Sequence, residues 1–225
     1  MTRLVVFGDS FPYGVIKING KRIPEAEQKK ICFPNQIFVN HNLFQDYKNL
    51  SHPGSGNEDI FYRLLKFLEN SVREQDFLLI SMSGMLRAAY YSIEKDKYIK
   101  MEYLDRPYEP IFQNRFFGAG CHQILKSKNI PHMFIHSFLP HHLYFEKGDI
   151  STENIIGEEG KNNSLFDIIA ERFNSDTRKI KSRLKNHTDF DVEPNEYISE
   201  CMHPTAEGHK LIAKTILPYI EEYLN

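Results

Sequence analysis

A run of four apolar residues, Leu4 to Phe7, stops at Gly8 and is followed at once by Asp9 and Ser10. Such a run has no polar face, so as a strand it must be covered on both sides, as in the middle of a parallel sheet. Parallel neighbours cannot be joined by tight hairpins and need crossovers, usually helical. The rest of the chain supplies them. Asn57 to Leu68 follows a glycine-rich turn, opens on a candidate capping Asn and two acids, and places Ile60, Phe61, Leu64, Leu65 and Leu68 at helical spacing. Phe77 to Ile80 and Pro131 to Ile135 are two further buried-strand candidates, each preceded by a helical pattern. A final helix is expected from Thr205, a candidate N-cap, through Ile212, Ile216 and Ile220, with Pro218 expected to kink it.

This alternation predicts an α/β fold with a three-layer α/β/α arrangement, whose ligand site lies at the carboxyl ends of the strands. With 225 residues, 41% of them hydrophobic, one domain spanning residues 1–225 is expected. Two stretches break the rhythm, near 85–115 and 141–191, and read as insertions over the strand ends. The second is expected to contain a helix beginning near Ser164.

A net charge of −2 leaves no positive surplus for a phosphate backbone, so nucleic acid is not an expected partner. The N-terminal apolar run is too short for a signal-peptide core, and no later stretch reaches bilayer-spanning length. Cys32, Cys121 and Cys201 are odd in number and scattered, which suits a reducing compartment. A soluble cytoplasmic protein without a membrane partner is expected.

Ser10 directly after the first strand occupies the place where a tight turn holds a hydroxyl at the carboxyl edge of the sheet, a nucleophile's position. The bland alternative is an Asp/Ser turn that only caps a helix. Near the other end stands Glu200-Cys201-Met202-His203-Pro204-Thr205. A serine hydroxyl needs a base within hydrogen-bond reach, and the base needs an orienting acceptor on its other nitrogen. His203 and Glu200 offer both within one loop, and Pro204 biases His203 away from helical dihedrals so that its ring can project. Cys201 beside His203 is a weaker nucleophile candidate.

Together the two segments resemble the SGNH (GDSL-like) hydrolase superfamily, in which an N-terminal Gly-Asp-Ser supplies the nucleophile and a C-terminal Asp-x-x-His the acid and base. Glu200 departs from that pattern by one methylene. Asn49 to Asn57 (NLSHPGSGN) resembles the family's second block and places Gly54 at the oxyanion-hole position. The third block, normally Gly-x-Asn-Asp, is replaced by Ser81-Met82-Ser83-Gly84, so its Asn is absent. Asn57, and less favourably Ser83, are the candidate replacement donors. The combination of Gly54-Ser55-Gly56-Asn57 with a Ser-x-x-x-Arg from Ser83 to Arg87 after the third strand is similar to a poorly characterised bacterial and phage branch of these proteins.

The resemblance implies a flavodoxin-like parallel sheet and a serine esterase acting on a small ester or O-acyl compound, such as an O-acetylated sugar. Ser10 would attack, His203 shuttle the proton, Glu200 orient His203, and the N–H groups of Ser10 and Gly54 bind the oxyanion, with no cofactor. Acyl transfer on the same site and a non-catalytic module of the same fold are the alternatives. Two rival constellations remain. His132, His136, His141 and His142 at strand spacing suggest metal binding, though no Asp or Cys completes a site, so no metal is expected. Tyr90, Tyr91, Tyr98, Tyr103 and Tyr108 offer faces for a sugar ring, or simply an amphipathic insertion.

Overall fold

The computed structural model describes residues 2–83, 87–92, 97–102, 109–137, 150–157, 164–170, 195–199 and 203–225. Its centre is a parallel sheet of four strands: β1 (Arg3–Phe7), β4 (Asp46–Asn49), β5 (Asp76–Met82) and β8 (His132–His136), in the order β4-β1-β5-β8. This is the second-first-third-fourth order of a flavodoxin-like sheet, as the resemblance implies. The register sets Val6 against Asn49 on one side and against Leu79 on the other. A single parallel bridge between Phe134 and Ile155 extends the sheet beyond β8.

Alternate side chains of each strand feed two separate cores, as a pleated strand dictates. Leu4, Val6, Phe77, Leu79, Met133 and Ile135 meet α3 (Phe33–His41), α6 (Leu165–Ala170) and α7 (Ala206–Leu224) on one face. Val5, Phe7, Leu78, Ile80 and Phe134 meet α4 (Asn57–Asn70) and α5 (Glu109–Ser127) on the other. The three layers follow. Strands β1, β5 and β8 are buried along their whole length, which is why each carries an apolar run at its centre. β4 is the edge strand; its sequence, Asp-Tyr-Lys-Asn, carries no apolar run and gives no such signal.

Between β1 and α3 the chain forms a short helix α1 (Ser10–Tyr13), a small hairpin of β2 (Lys17–Ile18) and β3 (Lys21–Arg22), and α2 (Glu25–Ile31). The stretch near 85–115 contains an antiparallel hairpin, β6 (Arg87–Ser92) with β7 (Lys97–Glu102), and α5 already begins at Glu109. Within the stretch 141–191, residues 150–157 and 164–170 place Ile150, Ile156, Leu165, Phe166, Ile168 and Ile169 in the core. They are therefore structural parts of the domain. Ser164 starts α6 as expected: its hydroxyl accepts from Asp167 N at 3.0 Å and donates to Asp167 Oδ2 at 2.8 Å.

One helix expectation is corrected in detail. Gly56, with extended backbone and no side-chain cap, precedes α4, so Asn57 is its first residue instead of its cap. Its amide is used elsewhere. α7 runs through Pro218 to Leu224, with Thr205 Oγ1 capping its start by accepting from Gly208 N at 3.1 Å. Among the described residues no helix is long and apolar enough to cross a membrane.

Candidate active site

The chain leaves β1, turns to its neighbour β4 and then crosses to β5 on the opposite side, so the order reverses beside the carboxyl end of β1. A crevice forms at such a reversal. Gly8 begins the turn there because nothing larger fits: a Cβ on it would lie 2.4 Å from Pro12 Cγ and 2.9 Å from Ser81 Cβ. Asp9 then caps α1, its Oδ1 accepting from Phe11 N at 3.0 Å, and Ser10 is the first residue of that helical turn. Ser10 is only 4% exposed.

Facing Ser10, the loop before α7 is tightly braced. Asn195 Oδ1 accepts from the N–H groups of Tyr197 and Ile198, both at 2.9 Å. Ile198 and Pro204 form an antiparallel bridge, and the carbonyl of His203 accepts from Ser199 N at 2.9 Å and Ser199 Oγ at 2.8 Å. These bonds hold the His203 backbone outside the helix, so its ring reaches back across the sheet edge. His203 Nε2 lies 2.7 Å from Ser10 Oγ, and the Phe11 ring packs beside the imidazole at 5.3 Å between centroids. Residues 193 positions apart in the chain thus share one hydrogen bond. Glu200 and Cys201 lie outside the described residues.

The second-block loop is tied to the first. His52 N donates to Gly8 O at 3.0 Å, Leu50 N to Val6 O at 2.7 Å, and Asn49 Nδ2 to Pro12 O at 2.8 Å. Gly54 follows in a turn closed by Ser55 N on His52 O and has φ +79°, a left-handed conformation that favours glycine. Arg63, on α4, joins both loops. Its guanidinium donates to Gly8 O at 3.2 Å, to Leu50 O, to Ser55 Oγ at 2.8 Å and to Asp59 Oδ2 at 3.2 Å. Burial works against its charge, while Asp59 and Asp9 favour it.

The third block takes an unexpected form. Asn57 Oδ1 accepts from Ser83 N at 2.7 Å and Asn57 Nδ2 donates to Ser83 O at 3.2 Å, a two-point clamp on the end of β5. Ser83 Oγ gives its single proton to Asp9 Oδ2 at 3.0 Å. Ser137, at the end of β8, donates to Asp9 Oδ1 at 2.9 Å and lies 3.0 Å from Ser81 Oγ. Asp9 is fully buried and so gathers the ends of β1, β5 and β8 beneath Ser10. Sequence reasoning named Asn57 and Ser83 but not this role. It also missed Asp9 and Arg63; the available signal for Arg63 was an arginine between Ile60 and Leu64, four residues after Asp59.

Two members of the histidine constellation, His132 and His136, lie among the described residues. His132 and His136 stand at opposite ends of β8, and His141 and His142 lie outside the described residues. His132 Nε2 instead pairs with His122 Nδ1 at 2.9 Å, while its own Nδ1 faces Ile130 O at 2.7 Å. No group of three potential metal ligands occurs among the described residues. Of the five tyrosines, Tyr103 and Tyr108 lie outside the described residues, and Tyr90, Tyr91 and Tyr98 fall on β6 and β7.

No protein-family model matches the sequence, and no curated protein does. Solved structures do align over nearly its whole length. LAE5, an alpha/beta hydrolase enzyme from the metagenome of Lake Arreo, Spain, is 11% identical with a TM-score of 0.54, covering 100% of this chain and 96% of its own. TesA is 10% identical with a TM-score of 0.51, over 99% of both chains. A carbohydrate esterase, described as displaying divergent catalytic and non-catalytic binding functions at its active site, is 14% identical with a TM-score of 0.51, over 98% of this chain and 65% of its own. At such identities the likeness concerns the fold, and with the strand order, the two cores and the position of Ser10 after β1 it establishes that this chain has the SGNH hydrolase fold.

Proposed function

We propose that this chain is a serine esterase that hydrolyses a small ester or O-acyl substrate through an acyl-enzyme. The observation that carries the reading is the 2.7 Å contact between Ser10 Oγ and His203 Nε2 at the carboxyl end of the central strand. For Ser10 to donate, Nε2 must be bare, which puts the ring proton on Nδ1. Glu200, three residues earlier, is assigned to accept it there. Ser10 Oγ attacks the acyl carbonyl as its proton passes to His203 Nε2. The imidazolium then protonates the departing alcohol, and a water molecule repeats the sequence in reverse to free the acid.

The developing oxyanion is assigned to the N–H groups of Ser10 and Gly54. Asn57 and Ser83 support them indirectly: the Ser83 proton is committed to Asp9, and Asn57 holds Ser83 in place. Small O-acyl groups, including an O-acetyl carbohydrate, fit this reading, as does the esterase among the structures of like fold.

The test is a panel of p-nitrophenyl acetate, butyrate and longer esters with wild type, Ser10→Ala and His203→Ala. Each variant should lose at least about a thousandfold in turnover, and the double variant should lose no more than the worse single, because nucleophile and base act as a unit. Glu200→Gln should lose less than His203→Ala. Substantial activity in Ser10→Ala, with contaminating esterases excluded, would remove the assignment.

A further inference from the structure

The backbone segment that carries Ser10 and the loop that carries Gly54 meet on one side chain. Arg63 Nη2 lies 3.2 Å from Gly8 O, the carbonyl two residues before Ser10, and Nη1 donates to Leu50 O, four residues before Gly54. Nη2 also contacts Ser55 Oγ at 2.8 Å, one residue past Gly54, and Nε contacts Asp59 Oδ2 at 3.2 Å. Ser55 Oγ in turn donates to the same Asp59 oxygen, so the fork is anchored on its own helix. The Arg63 side chain is 22% exposed and that of Asp59 17%, so water competes little for these bonds. A planar guanidinium with five donors at fixed angles is suited to fixing two carbonyls relative to each other; an ammonium on a flexible stem is not.

We infer that Arg63 is a positioning residue for catalysis, setting the distance between the Ser10 loop and the Gly54 loop and hence between the two N–H groups assigned to the oxyanion. This rests on the esterase reading. Oxyanion stabilisation depends on donors fixed in place before the charge appears, and losing one typically costs on the order of a hundredfold to a thousandfold. A displacement of about 1 Å costs on the order of a hundredfold. Arg63 touches neither substrate nor the reacting atoms, so its removal should act on turnover while leaving substrate affinity near its original value.

The experiment compares Arg63→Ala and Arg63→Lys with wild type on p-nitrophenyl acetate, after counting competent sites by stoichiometric labelling with a fluorophosphonate. Turnover per labelled site should fall at least about tenfold in both variants with KM within about threefold. Added ethylguanidinium should restore turnover severalfold in Arg63→Ala and leave wild type unchanged. A residue that only supported the fold would lower the number of competent sites and the melting temperature, with turnover per site intact. Turnover per site within twofold of wild type, or loss of folding in both variants, overturns the inference while the esterase reading stands. A wild-type chain that neither labels nor turns over removes that reading, and the inference with it.

Discussion

His209 makes the stability of this protein depend on pH in a way that can be worked out. It sits on the first turns of α7, fully buried, with Nδ1 accepting from Phe33 N at 3.2 Å and its ring stacked on Phe33. Burial, and then the charge on His203, lower its pKa from the ordinary 6.5 to about 3. The unfolded chain therefore takes up a proton near pH 6.5 that the native chain refuses until about pH 3. Stability from this residue is complete above pH 6.5 and is lost as pH falls through the interval below it. At pH 5 the unfolded histidine gains about 2 kcal/mol from protonation and the native one almost nothing. His132 is lowered to about 4, again mainly by burial, and acts in the same direction. Between pH 7.5 and 5 the two together remove about 4 kcal/mol, a large part of the 5–15 kcal/mol typical of a domain.

The assay is urea unfolding at both pH values for wild type and His209→Asn, whose Oδ1 can still accept from Phe33 N. The substitution lowers stability at either pH by leaving space in the core, but that loss cancels in the difference between the two. The pH 7.5 to pH 5 difference should shrink by about 2 kcal/mol in the variant. An unchanged difference would mean that His209 binds its proton in the native state, and the reasoning from burial would fail.

Asp9→Asn should cost about 2–3 kcal/mol and lower turnover, because the amide cannot accept from Phe11 N, Ser83 Oγ and Ser137 Oγ as a carboxylate does; chemical denaturation and steady-state kinetics check the two parts. Arg3→Met at the opposite end of the sheet should separate stability from activity. Arg3 Nε and Nη2 each lie 2.7 Å from the buried Asp76 carboxylate, so the variant strands a buried charge at a cost of about 3–5 kcal/mol while turnover at 20 °C stays near wild type. Arg3→Met with Asp76→Leu should recover much of that loss in a double-mutant cycle.

What the chain revealed before folding depended on how local the cause was. Leu4–Phe7 and Phe77–Ile80 were legible because strands buried on both faces must be apolar throughout, and α4 and α7 because their apolar residues repeat at helical spacing. β4 was not, since an edge strand needs only its ladder with β1, and Asp46–Asn49 carries no hydrophobic pattern. In the site, Ser10 and His203 stood out because their neighbours, Gly8 and Pro204, announce turns that present side chains. Asn57 looked like a cap because its sequence position suits one; only the end of β5, 26 residues away, reveals what its amide holds. The same holds for Asp9 and Arg63, whose partners come from strand ends that the sheet alone brings together.

The most direct measurement is intact-protein and peptide mass analysis after exposure to a fluorophosphonate at neutral pH. One phosphonyl group per chain should appear, on Ser10, and its rate of formation should fall at least about a hundredfold in His203→Ala, because the hydroxyl then lacks its base. An adduct on another residue, no adduct at all, or equal labelling with and without His203 would contradict the pairing of Ser10 with His203 as nucleophile and base.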